Sequence, residues 1–80
     1  MNYERLNDLR LLGLTIAYYR RAKGMTQAEL AEAVHISRTQ MSNIEAPNTK
    51  TSISLNLLFD IAEALDIPVK ELFDFQGRSL

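Results

Sequence analysis

Residues 24–45 read GMTQAELAEAVHISRTQMSNIE, and two helix starts, at Thr26 and Ser37, stand inside them. Thr26 and Glu29 have the S/T-x-x-E spacing in which each residue satisfies a free backbone N–H of the other. Ser37 and Gln40 repeat that spacing. Leu30, Ala31 and Val34 give the first helix an apolar face, Met41 and Ile44 give the second one, and His35-Ile36 breaks the chain between them. Two capped helices this short, joined by so tight a break, predict a helix-turn-helix unit over about residues 26–45. Leu30, Val34, Ile36, Met41 and Ile44 then project into one cluster, and Ala31 is small where the helices approach most closely.

Helical spacing continues on both sides. Leu6, Leu9, Leu12, Ile16 and Tyr19 recur at three- and four-residue steps, which predicts a first helix over Tyr3 to Ala22, stopped by Lys23-Gly24. Gly13 costs ~1 kcal/mol relative to Ala inside a helix, so a start near Leu12 with a looser lead-in is the competing expectation. Downstream, Pro47 ends the third helix and Ser52 or Ser54 caps a fourth, with Leu55, Leu58, Ile61, Ala62 and Leu65 facing inward. Asp66-Ile67-Pro68 ends that helix, and Pro68 opens a short fifth carrying Leu72 and Phe73. The expected fold class is all-α: residues 1–80 form one domain of five helices, with a C-terminal tail over 74–80.

Composition narrows the function. Hydrophobic residues make up 46% of the eighty and charged residues 24%, a globular balance with room for one modest core. With no Cys and one His, the chain lacks the ligands of a zinc site and a thiol nucleophile, and no cofactor is expected. The polar N-terminus MNYERLND reads as neither signal nor anchor, and no apolar run spans a bilayer, so a cytoplasmic, nucleoid-associated protein is expected. His35 has no nearby acid in a plausible dyad, the glycines form no phosphate loop, and an enzyme is not expected. The net charge of −1 runs against the basic character usual for nucleic-acid binding.

From Gly24 to Glu45 the chain resembles the lambda-repressor/Cro-like family, also called the Xre family. The resemblance reaches outward to Ile16-x-x-Tyr19-Arg20 and to LLFDIAEALDIPVKELF, Leu57 to Phe73, roughly three quarters of the chain. It implies a five-helix DNA-binding domain. The family's glycine at the turn is His35 here, a residue that tolerates positive φ better than most; a pH-sensitive or ligand-binding role is the alternative. In the family, the residue matched by Gln27 touches the DNA backbone and braces the recognition helix. Arg20 and Glu45 match a structural pair. The loop after the third helix departs from the pattern, with Pro47 and Ile53 in place of the usual glycine and proline.

Because Met41 and Ile44 point inward, Arg38, Thr39, Ser42 and Asn43 point outward on adjacent rows. These types read base edges: Arg guanine, Asn adenine, Thr the thymine methyl. Residues 37–45 are thus expected to enter the major groove of double-stranded DNA, helix N-terminus first. Gln40 divides between capping and base contact, Ser37 between capping and phosphate, and Lys50 is a phosphate partner in the loop. One short helix buries too little surface for selective affinity. A homodimer on a two-fold operator is expected, its half-sites ~34–36 Å apart. Leu72, Phe73, Phe75 and Leu80 are the candidate dimer contacts, with a place at the base of the core as their alternative. The reading is a transcriptional repressor. An antitoxin or accessory module holding a protein partner is the other one.

Charge also divides along the chain. Residues 1–50 carry seven Lys+Arg and five acids, whereas residues 51–80 carry two and five. A mildly basic reading half and an acidic half facing away are expected, with few phosphates neutralised and a shallow salt dependence.

Overall fold

The computed structural model describes residues 3–46 and 52–74, with side chains from Asn7 onward. Four α-helices follow in order: α1 Tyr3–Ala22, α2 Gln27–Ala33, α3 Arg38–Glu45 and α4 Leu55–Ala64. The expected fifth helix is instead a 3-10 helix, Val69–Phe73. Five residues between Pro68 and Asp74 are too few to sustain α-helical bonding, and the bonds are i to i+3, Glu71 N–H to the Pro68 carbonyl (3.0 Å) among them. Residues three apart eclipse in a 3-10 helix, so half-buried Val69 and fully buried Leu72 fall on one side.

Both capping boxes form. The Thr26 hydroxyl accepts from Glu29 N–H (3.0 Å) while Thr26 N–H donates to the Glu29 carboxylate (2.8 Å). Ser37 and Gln40 make the same exchange, both bonds at 3.0 Å. Ser54, not Ser52, caps α4 through Leu57 N–H. The bonds from Thr26, backbone N–H first, hold the Glu29 carboxyl below its ordinary pKa of 4.5. That stabilisation is complete above pH 4.5 and is lost as pH falls through the lowered value. Thermal melts are expected to show Glu29→Gln less stable than the parent near pH ~7, with the gap closing as pH falls through the lowered value. A gap independent of pH would contradict the charged box.

Helix stops share one device. α1, α2 and α4 each end in a residue at positive φ: Gly24 (72°), His35 (61°) and Asp66 (57°). After each, the next N–H reaches back to the fifth residue before it: Met25 to Arg20 O, Ile36 to Ala31 O, Ile67 to Ala62 O, all 3.0 Å. This is the Schellman motif, whose apolar C″ residue packs back on its helix. Met25, Ile36 and Ile67 fill that place and pack against the core. His35 thus holds the left-handed turn position expected of it.

The core gathers Leu12 and Ile16 from α1, Leu30 and Ala31 from α2 with Val34 just past its end, Met41 from α3, Leu58, Ile61 and Ala62 from α4 with Leu65 just past its end, and Leu72. Leu55 does not join it. It is 64% exposed, and half-buried Leu57, four residues ahead of Ile61, takes the inward place. Tyr19 ties α1 to the 3-10 helix by donating its hydroxyl proton to the Glu71 carboxylate (3.1 Å).

α1 is continuous from Tyr3, so the later start near Leu12 is not observed. Gly13 is the reason for the difference. A Cβ at Gly13 would collide with the Ile44 carbonyl oxygen and lie 3.4 Å from the Glu45 Cα. The missing side chain lets α1 pass directly over the end of α3. Gly13 marks a crossing, not a helix start.

Candidate nucleic-acid interface

α3 offers one face to the core and one to solvent. Met41 is fully buried, Ile44 is half-buried, and Glu45 is 5% exposed. Ser37, Arg38, Thr39, Gln40, Ser42 and Asn43 are all exposed. The subtraction made from sequence therefore holds, and no carboxylate lies among these residues. Gln40 accepts the Ser37 N–H on its carbonyl oxygen, which leaves its amide N–H groups and one lone pair of that oxygen for an outside partner. A bidentate adenine contact needs both ends of the amide, so the cap holds the oxygen in a fixed direction that such a contact would have to share.

Behind this face lies a polar network that fixes the pose of α3. Arg20 grips Glu45 with two bonds, Nε to Oε2 (2.7 Å) and a terminal nitrogen to Oε1 (2.9 Å). Its other terminal nitrogen donates to the Met25 carbonyl (2.8 Å) in the turn before α2. Gln27, in the first turn of α2, donates its side-chain amide to Glu45 Oε1 (3.0 Å). One buried carboxylate at the end of α3 is thus tied to the end of α1, the α1–α2 turn and the start of α2. A planar guanidinium matched to both oxygens sets an orientation that a lysine point charge cannot.

Several expected site residues fall elsewhere. Lys50, Phe75 and Leu80 lie outside the described residues. Phe73 is 50% exposed, but Leu72 is fully buried in the domain's own core and has no surface to give a second copy. His35 shares an open groove of about 310 Å³ with Asp60 and Glu63 of α4. Among the described residues no group of three or more His, Cys, Asp or Glu could hold a metal ion. No described helix is long and apolar enough to cross a membrane. Sequence reading took Gly13 for a possible helix start, although its signal was a glycine inside a helix with no turn to explain it.

The family model described as Helix-turn-helix matches residues 16–72. The HTH-type transcriptional regulator SinR of Bacillus subtilis (strain 168) is 34% identical over 64 residues, 80% of this chain. The matched stretch spans only 57% of that relative's length. The fold also matches the restriction-modification controller protein C.AhdI from Aeromonas hydrophila at a TM-score of 0.76 and 33% identity, covering 82% of this chain and 97% of that one. A structure of SinR, described as the master regulator for biofilm formation and solved in complex with DNA, matches at a TM-score of 0.71 and 35% identity, covering 79% and 98%. These relatives are regulators, not enzymes. With the capped helix pair, the buried Arg20–Glu45 pair and the family match in agreement, the chain belongs to the lambda-repressor-like (Xre) helix-turn-helix family of transcriptional regulators.

Proposed function

We propose that the chain is a sequence-specific double-stranded DNA-binding repressor that inserts residues 37–45 in the major groove as a homodimer on a two-fold operator. The observation that carries this reading is the exposed, acid-free face of α3, held in one pose by the Glu45 network. Arg38, Thr39, Ser42 and Asn43 read bases. Ser37, Gln27 and Lys50 meet phosphates, with Gln27 divided between that contact and its bond to Glu45. The similarity to a SinR structure solved with DNA supports the ligand class.

The dimer rests on surface the monomer leaves uncovered. Leu55 and Phe59, one turn apart on α4, are 64% and 50% exposed, and Phe73 is exposed as well. Exposed apolar groups of this size favour self-association. Sedimentation equilibrium is expected to give a dimer at micromolar concentration. A monomer at high micromolar concentration would remove the dimer from the account.

Band shifts on a bound duplex test the base-reading residues. Arg38→Ala and Asn43→Ala are each expected to weaken binding by ~1–3 kcal/mol and to relax preference at one base position. Unchanged affinity and unchanged preference in both variants would refute the groove assignment.

A further inference from the structure

His35 holds the turn after α2 and also lines the open groove between the end of α2 and α4. Its other lining residues are Ala33, Val34, Asp60, Glu63 and Ala64. Two alanines and a buried valine make part of that lining apolar, and the small alanine side chains leave the space open. Asp60 and Glu63 stand three residues apart on α4, near enough to act on one ligand. Both are exposed, and neither has a side-chain hydrogen bond or ion pair among the described residues. No Lys or Arg lines the groove. Residues 52–74 as a whole carry five carboxylates and one cation, Lys70.

The charge selects the occupant. Two uncompensated carboxylates repel phosphates, so the groove is not a DNA contact. An arginine has what the lining asks for. Its methylene stem covers apolar surface, its planar guanidinium pairs with carboxylates, and the same plane stacks on an aromatic ring such as imidazole. A lysine ammonium supplies only the charge. We propose that the groove between α2 and α4 receives an arginine side chain from a protein partner. None of its lining residues belongs to the 37–45 face of α3, so this contact leaves that face free. Nor do Leu55 and Phe59 line it. The inference therefore stands apart from both the DNA-binding reading and the dimer.

The test is an NMR titration of the full, nitrogen-15-labelled chain with two probes. One is an end-blocked alanine pentapeptide with a central arginine. The other carries citrulline there, which keeps the shape and loses the charge. The arginine peptide is expected to shift the amide signals of Ala33, His35, Asp60, Glu63 and Ala64, saturating in the millimolar range. The citrulline peptide should bind about fivefold more weakly, and added salt should weaken the arginine peptide alone. Asp60→Asn with Glu63→Gln should abolish the difference between the peptides. Both side chains are exposed, so the double variant should melt as the parent does and bind the same duplex. No saturable shift at these amides would overturn the proposal. So would equal binding of the two peptides by the parent, or an undiminished preference for arginine in the double variant. Shifts of the same signals with the chain's own concentration, before peptide is added, would assign the groove to a second copy and overturn the separate partner.

Discussion

Glu45→Ala is expected to cost about 3–5 kcal/mol of stability. The side chains of Arg20 and Glu45 are only 9% and 4% exposed, so removing the acid leaves a buried guanidinium without its anion. Arg20 would keep the Met25 carbonyl alone. Gln27 would lose its partner too. A domain of this size has roughly 5–10 kcal/mol of stability in total, so the variant should lose about a third of it or more. Urea denaturation followed by circular dichroism gives the number. Exchanging both residues together, Arg20→Met with Glu45→Met, should recover much of the loss, because buried pairs are often replaceable by packed apolar groups. That double variant would still be expected to bind DNA less well, since nothing apolar fixes the angle of α3 as the two-oxygen grip does. A loss below about 1 kcal/mol for Glu45→Ala would mean that the pair behaves as an exposed one.

The second large effect reverses a simple rule. Replacing a glycine inside a helix by alanine ordinarily gains ~1 kcal/mol. At Gly13 the added methyl would strike the Ile44 carbonyl, which is backbone and cannot rotate away. Gly13→Ala is therefore expected to lose about 1–3 kcal/mol, as overpacked sites do, and to push α1 off the end of α3. The same shift would strain the Arg20–Glu45 bonds, so DNA affinity should fall with stability. A more stable Gly13→Ala chain would show that the two helices are not in contact there.

Gly13 also shows why part of the fold was hidden from sequence. A glycine within a helical pattern announces a cost, and only the partner in space says whether the cost is a break or a crossing. The capped pair at Thr26 and Ser37, by contrast, is written in local spacing, because a capping box depends on residues three apart. The outward face of α3 followed from it by subtraction. The Arg20–Glu45 pair came through the family resemblance, while its third partner, Gln27, could be placed only as a brace without a named acceptor. Leu55 was misassigned because periodicity alone does not show where a helix overhangs its core. Asp66 ended α4 as read, but its left-handed backbone follows from Ile67 turning back onto the core, a long-range demand.

The charge balance bears on how DNA would be held. Nine cations in the whole chain, two of them in residues 51–80, leave few for phosphates, and Arg20 is already committed to Glu45. Binding should therefore weaken only gently as salt rises, and most discrimination should come from the exposed α3 side chains.

Selection of bound sites from random double-stranded DNA, at a stated salt concentration, tests the central claim most directly. The account predicts an enriched two-fold motif with half-sites one helical turn apart, about 34–36 Å, whose preferred bases change when Arg38 or Asn43 becomes alanine. No enriched motif, or the same motif selected by the parent and by an Arg38→Ala, Asn43→Ala double variant, would contradict it.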